Sequence, residues 1–157
     1  MFARILLAID DMDECHAVLE LVKNVAAEGV TEVRALHLRL REVSGYQWYS
    51  RETRDQASFV AEAATFELRM AGLAAGGSVR YAAVDRVAQA ILAEAKAFDA
   101  QLVVLGSPRR GELLARLFGS VTHRVIQRSR CPVLVASRSA ARSRPSAAPA
   151  SAPRRGS

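Results

Sequence analysis

Six residues of this 157-residue chain have types and spacing suited to holding a phosphate: Gly106, Arg109, Arg110, Gly119, Ser120 and Thr122. Gly106 closes an apolar run (LVVL, residues 102–105), and Gly119-Ser120 reads as the opening of a helix. The first turn of a helix carries amides with no partner in the chain, and its dipole favours an anion there. Ser120 and Thr122 add two hydroxyls, although Ser120 serves equally well as a plain helix cap. Arg109 and Arg110 match phosphate as guanidinium forks, or they form a solvated basic turn that fills the pocket. Both readings stay open. Asp10, at the end of another apolar run, suits a ribose or a phosphate-bound Mg²⁺, or simply a carboxylate favoured by a helix start.

Covalent chemistry has no visible carrier. The chain lacks GxSxG, a Ser-His-Asp set and a Walker lysine, and no residue stands out as a base for hydrolysis. His16, His37 and His123 share no ligand spacing, and Cys15 and Cys131 form no CxxC pair, so neither metal nor disulfide is expected. His37 reads as a packed or edge histidine inside a strand. The thiols read as the reduced cysteines of a cytoplasmic protein.

The elements that must position these residues alternate. Residues 2–9 (FARILLAI) are a strand covered on both faces, and Asp11 with Glu14 suggests a capping box for a helix to about Ala27, ended by Gly29. A second strand spans 31–40, and residues 41–51, with Tyr46, Trp48 and Tyr49, read as a mobile loop whose aromatics tuck against the sheet edge or else form a lid or partner surface. A helix over 52–75 is stopped by Gly76-Gly77. A strand at 78–84, a helix at 87–97, a strand at 102–105, a helix at 119–128 and a strand at 132–136 complete the chain. Alternation of this kind predicts an α/β fold with a parallel sheet, whose ligand crevice lies at the carboxyl ends of the strands.

The net charge of +6 belongs to the tail: all 16 acidic residues precede position 138, whereas Arg138, Arg142, Arg144, Arg154 and Arg155 lie at or beyond it. Residues 1–137 are therefore close to neutral, which argues against a nucleic-acid-binding domain. Residues 138–157 have no apolar periodicity and read as a disordered basic tail. No apolar run is long enough to span a membrane, and the N-terminus reads as a strand rather than a signal peptide.

With a first strand ending Ala8-Ile9-Asp10 and the closing GSVTHRVIQRSRCPVLV, the chain resembles the universal stress protein family over residues 2–137. The resemblance implies a Rossmann-like, doubly wound parallel sheet of five strands, order 3-2-1-4-5, with helices on both faces. Nucleotide-binding members carry Gly-x-x-Gly, nine residues, then Gly-Ser or Gly-Thr. By that likeness ATP, with Mg²⁺ held only through its phosphates, would meet Ala8, Ile9, Asp10, Leu38, Leu105, Gly106, Gly119, Ser120, Val121 and Thr122. Leu38 would offer backbone groups to the adenine. Arg109 stands where the family has its second glycine, and Asp11-Met12 where it often has Gly-Ser. The implied protein is a stress-response regulator rather than an enzyme, a homodimer through the last strand from Pro132 to Ala136. The alternative is a nucleotide-free dimerising module of the same fold.

Overall fold

A computed structural model describes residues 1–10, 15–44, 47–106 and 113–136. The elements run β1 (Arg4–Ile9), α1 (His16–Val25), β2 (Glu32–Ser44), β3 (Gln47–Tyr49), α2 (Arg54–Met70), β4 (Ala74–Ala83), α3 (Val87–Phe98), β5 (Leu102–Gly106), α4 (Leu113–Arg128) and β6 (Val133–Ala136). β4, β2, β1, β5 and β6 lie side by side in a parallel sheet, which is the expected order 3-2-1-4-5, while β3 turns back antiparallel along the end of β2.

Side-chain alternation along β1 explains the double winding. Ile5, Leu7 and Ile9 enter one core with Val18, Leu19 and Val22 of α1 and Ala64 and Leu68 of α2. Leu6 enters the opposite core with Val87, Ile91 and Phe98 of α3 and Val121 and Val125 of α4. A strand buried on both faces has no polar side, which is why residues 2–9 are apolar almost throughout. Each fully buried Leu, Ile or Val contributes about 1.5–3 kcal/mol. One carboxylate is buried among them: Glu94 of α3 meets Arg34 of β2 at 3.2 Å and Arg80 of β4 at 2.9 Å, and Ser78 donates to it at 3.1 Å.

Four expectations are corrected. Helix α2 ends at Met70, not near Ala75, and Gly72, with φ +80°, carries the turn. Gly76 and Gly77 lie inside β4. Gly77 is there for contact: an added Cβ would come within 3.2 Å of Thr65 Oγ1 and 3.3 Å of the Ala61 carbonyl. Residues 41–51 are not a loop throughout, because β2 continues to Ser44 and pairs with β3, Glu42 opposite Tyr49 and Val43 opposite Trp48. Trp48 and Tyr49 are 63% and 44% exposed rather than tucked against the sheet. Last, α4 begins at Leu113, six residues before the expected start. Asp11, Glu14, Tyr46, Arg109, Arg110 and the basic tail lie outside the described residues, so the expected capping box and basic turn do too.

Candidate functional site

The strand registers create an opening at the carboxyl edge of the sheet. β1 pairs with β2 only as far as Ile9 opposite His37, so Leu38 is the first residue of β2 beyond the end of β1. On that side β2 runs on past β1, while on its other side it stays paired with β4, Leu38 opposite Arg80. Asp10, exposed, stands at the same level, and β5 ends alongside with Leu105 opposite Ala8. The structure thus brings Ala8, Ile9, Asp10, Leu105 and Gly106, at the ends of β1 and β5, beside Leu38, which lies midway along β2, with Ile9, Leu38 and Leu105 buried.

A cleft of about 210 Å³ opens beside Asp10 and Leu38, lined also by His37, Leu40, Glu42, Ser50, Arg51 and Glu52. Its wall is chain returning from β3. The Tyr49 hydroxyl donates to Glu42 at 2.8 Å, and Arg51 Nε lies 2.9 Å from the same carboxylate. The Tyr49 hydrogen bond, followed by Arg51, holds the Glu42 carboxyl below its ordinary value of 4.5. The same bond, seen from the other partner, raises the Tyr49 hydroxyl above 10.0.

His37 is buried, 2% exposed, and both ring nitrogens face oxygen acceptors. Nδ1 lies 3.1 Å from the Ile9 carbonyl, and Nε2 lies 2.8 and 3.0 Å from the two carboxylate oxygens of Glu52. The ring thus spans the gap between the Ile9 carbonyl and the Glu52 carboxylate. Arg39 Nε adds a bond to the Glu52 carbonyl at 2.9 Å. These contacts fasten the end of β1 to the chain that follows β3. His37 is packed, as expected, but it also has a role in shaping the cleft. Nothing in the spacing to Glu52 announced that, because the two meet only through the β2–β3 hairpin.

The phosphate half of the expected site is arranged otherwise. Gly119, Ser120, Val121 and Thr122 lie within α4, about two turns from its start at Leu113. Their amides are therefore committed to carbonyls four residues earlier and are not the free amides of a helix start. Val121 is buried in the α3–α4 core. Gly119 is exposed, and an added Cβ there would meet nothing within 4 Å. Gly106 has a packing reason to be glycine, since a Cβ would come 3.3 Å from Val18 Cγ2 of α1. Among the described residues no cluster of His, Cys, Asp or Glu is placed to hold a metal, and no helix is long and apolar enough to cross a membrane.

Comparison with known proteins gives this geometry a context. The family model described as the universal stress protein family matches residues 1–137. Universal stress protein YxiE of Bacillus subtilis (strain 168) is 29% identical, the match covering 86% of this chain and 99% of that protein. The chain is also similar to the solved universal stress protein of Archaeoglobus fulgidus in complex with dAMP, with TM-score 0.62 and 20% identity over 85% of this chain and 97% of that one. A universal stress protein in complex with cAMP superposes with TM-score 0.64 at 19% identity, covering 87% of this chain and 97% of its own.

Proposed function

We propose that this chain, which belongs to the universal stress protein family, is a stress-response regulator that binds an adenine nucleotide at the carboxyl edge of its sheet. The observation that carries this reading is the open edge of β2 at Leu38, beside Asp10 and the 210 Å³ cleft. The side of β2 that runs on past β1 suits the polar rim of a base, and Asp10 suits the hydroxyls of a ribose. The dAMP and cAMP held by two proteins of similar fold each carry a single phosphate group. Such ligands suit this chain better than ATP with Mg²⁺, because α4 occupies the amides that a longer phosphate chain would need. Calorimetric titration with AMP, cAMP and ATP tests the reading, the first two binding at least as tightly as the last.

A second reading, a nucleotide-free dimerising module, is favoured by that same commitment of the Gly119–Thr122 amides. In both readings we place the homodimer contact on β6, an edge strand of four residues whose Val135 is 38% exposed. An unpaired apolar edge is a template for another strand. Val135→Lys should turn the dimer into a monomer in sedimentation. An unchanged mass would move the contact elsewhere. The family's ordinary work gives no reason to assign catalysis here, and the reading assigns none.

A further inference from the structure

Among the described residues, two buried side-chain polar atoms have no hydrogen-bond partner, Ser50 Oγ and Gln89 Oε1. Ser50 is the one that lines the cleft with Asp10, His37 and Leu38. Leaving a buried hydroxyl unpaired costs about 1–3 kcal/mol, and native structures retain few such groups. The backbone on both sides of Ser50 is tied down. Tyr49 before it is tied to Glu42 at 2.8 Å, Arg51 after it to Glu42 at 2.9 Å, and Glu52 to His37 at 2.8 Å. The backbone is held in place while the hydroxyl has no partner among the described residues, and a turn about χ1 is what would bring it to the cleft.

We infer that the Ser50 hydroxyl is a ligand contact, bonding the polar edge of a heterocyclic base seated against β2 at Leu38. The inference rests on the nucleotide reading and adds to it the residue that meets the base. The cleft, about 210 Å³, is smaller than the ~300–1,000 Å³ of a whole-ligand pocket, so it suits a ring rather than a complete nucleotide. A serine hydroxyl both donates and accepts, so it meets either an exocyclic amino group or a ring nitrogen. The base is thus read from the β3 side as well as from the backbone of β2. No phosphate-binding motif contains this residue, because the hairpin, not the sequence spacing, delivers it.

The test is Ser50→Ala, compared with the intact chain by calorimetry with AMP and with ribose 5-phosphate, and by thermal unfolding without ligand. Removing an unpaired buried hydroxyl leaves the fold as stable or more so. The expected result is an unchanged or higher Tm, AMP affinity weakened about five- to tenfold, and ribose 5-phosphate, which has no base, unaffected. Unweakened AMP binding by the variant overturns the inference and leaves the nucleotide reading standing. A falling Tm together with equal losses for both ligands also overturns it, making Ser50 a structural residue. If the intact chain binds no AMP at all, the nucleotide reading itself falls and carries the inference with it.

Discussion

The Glu52 carboxylate closes on the buried His37, with oxygens 2.8 and 3.0 Å from Nε2, while Nδ1 of the same ring faces the Ile9 carbonyl at 3.1 Å. One side chain of β2 therefore joins the last residue of β1 to the segment that walls the cleft. Glu52→Ala leaves a buried ring nitrogen without its acceptor. The expected destabilisation is about 1–3 kcal/mol, read as a lower midpoint in urea unfolding. Glu52→Gln keeps an acceptor oxygen and should recover part of the loss. An Ala variant as stable as the intact chain would mean that the pair contributes nothing.

Gly77 and Gly76 are adjacent, yet they should respond oppositely to the same substitution. A Cβ at Gly77 meets Thr65 Oγ1 at 3.2 Å and the Ala61 carbonyl at 3.3 Å, whereas one at Gly76 meets nothing within 4 Å. Gly77→Ala requires Thr65 and the Ala61 carbonyl of α2 to give by a few tenths of an ångström and should cost about 1–3 kcal/mol. Gly76→Ala should be neutral or slightly stabilising. Thermal unfolding of the two variants side by side decides it, and equal Tm values would refute the close helix–strand contact.

The β2–β3 clasp should depend on pH at both ends of the scale. Glu42 is held below 4.5 by Tyr49 and then Arg51, so its contribution is present above 4.5 and lost as pH falls through the lowered value. Tyr49 is raised above 10.0 by its bond to Glu42, so its contribution is full below 10.0 and lost as pH rises through the raised value. Trp48, the one tryptophan, sits in β3 and reports the clasp by fluorescence. Emission should hold steady between these limits and change beyond each. Glu42→Gln should remove the acid change specific to the clasp, and an acid response that survives it would assign the transition to other groups.

Gly119 lies inside α4, where glycine costs about 1 kcal/mol relative to alanine. Gly119→Ala should therefore raise the Tm, since its Cβ meets nothing within 4 Å. If ATP gains affinity by unwinding the first turns of α4 to free the amides of residues 119–122, the same substitution weakens ATP relative to AMP. The present structure predicts the opposite, an ATP to AMP affinity ratio unchanged by the variant. A ratio that falls would place the phosphates at those amides.

The doubly wound sheet was legible in the sequence because its signals are local and redundant. An apolar run such as residues 2–9 and the 3.6-residue period of residues 87–97 each report burial directly. Punctuation was read less well. Gly76-Gly77 looked like a helix stop, but a glycine chosen for close packing has the same letter as one chosen for a turn. Gly119-Ser120 looked like a helix start, yet the preceding LLARLF continues a helical pattern that carries α4 through it. At the edge of the sheet, the strand-end positions of Asp10 and Gly106 were legible because apolar runs stop there, whereas Leu38 came only from the family resemblance and lies midway along β2. His37 with Glu52, and Ser50 between clasp and cleft, were not found. Their proximity comes from the hairpin at residues 42–49, and its antiparallel register has no turn signature strong enough to predict.

The central claim is that the carboxyl edge of the sheet takes the base and sugar of an adenine nucleotide. Its most direct measurement is calorimetric titration of the intact chain with AMP and with ATP in the presence of Mg²⁺, in parallel with Asp10→Ala. Saturable AMP binding, no tighter binding of ATP, and a marked loss in Asp10→Ala are the predicted results. No heat and no thermal stabilisation by either nucleotide at millimolar concentration would contradict the claim and leave a dimerising module of this fold.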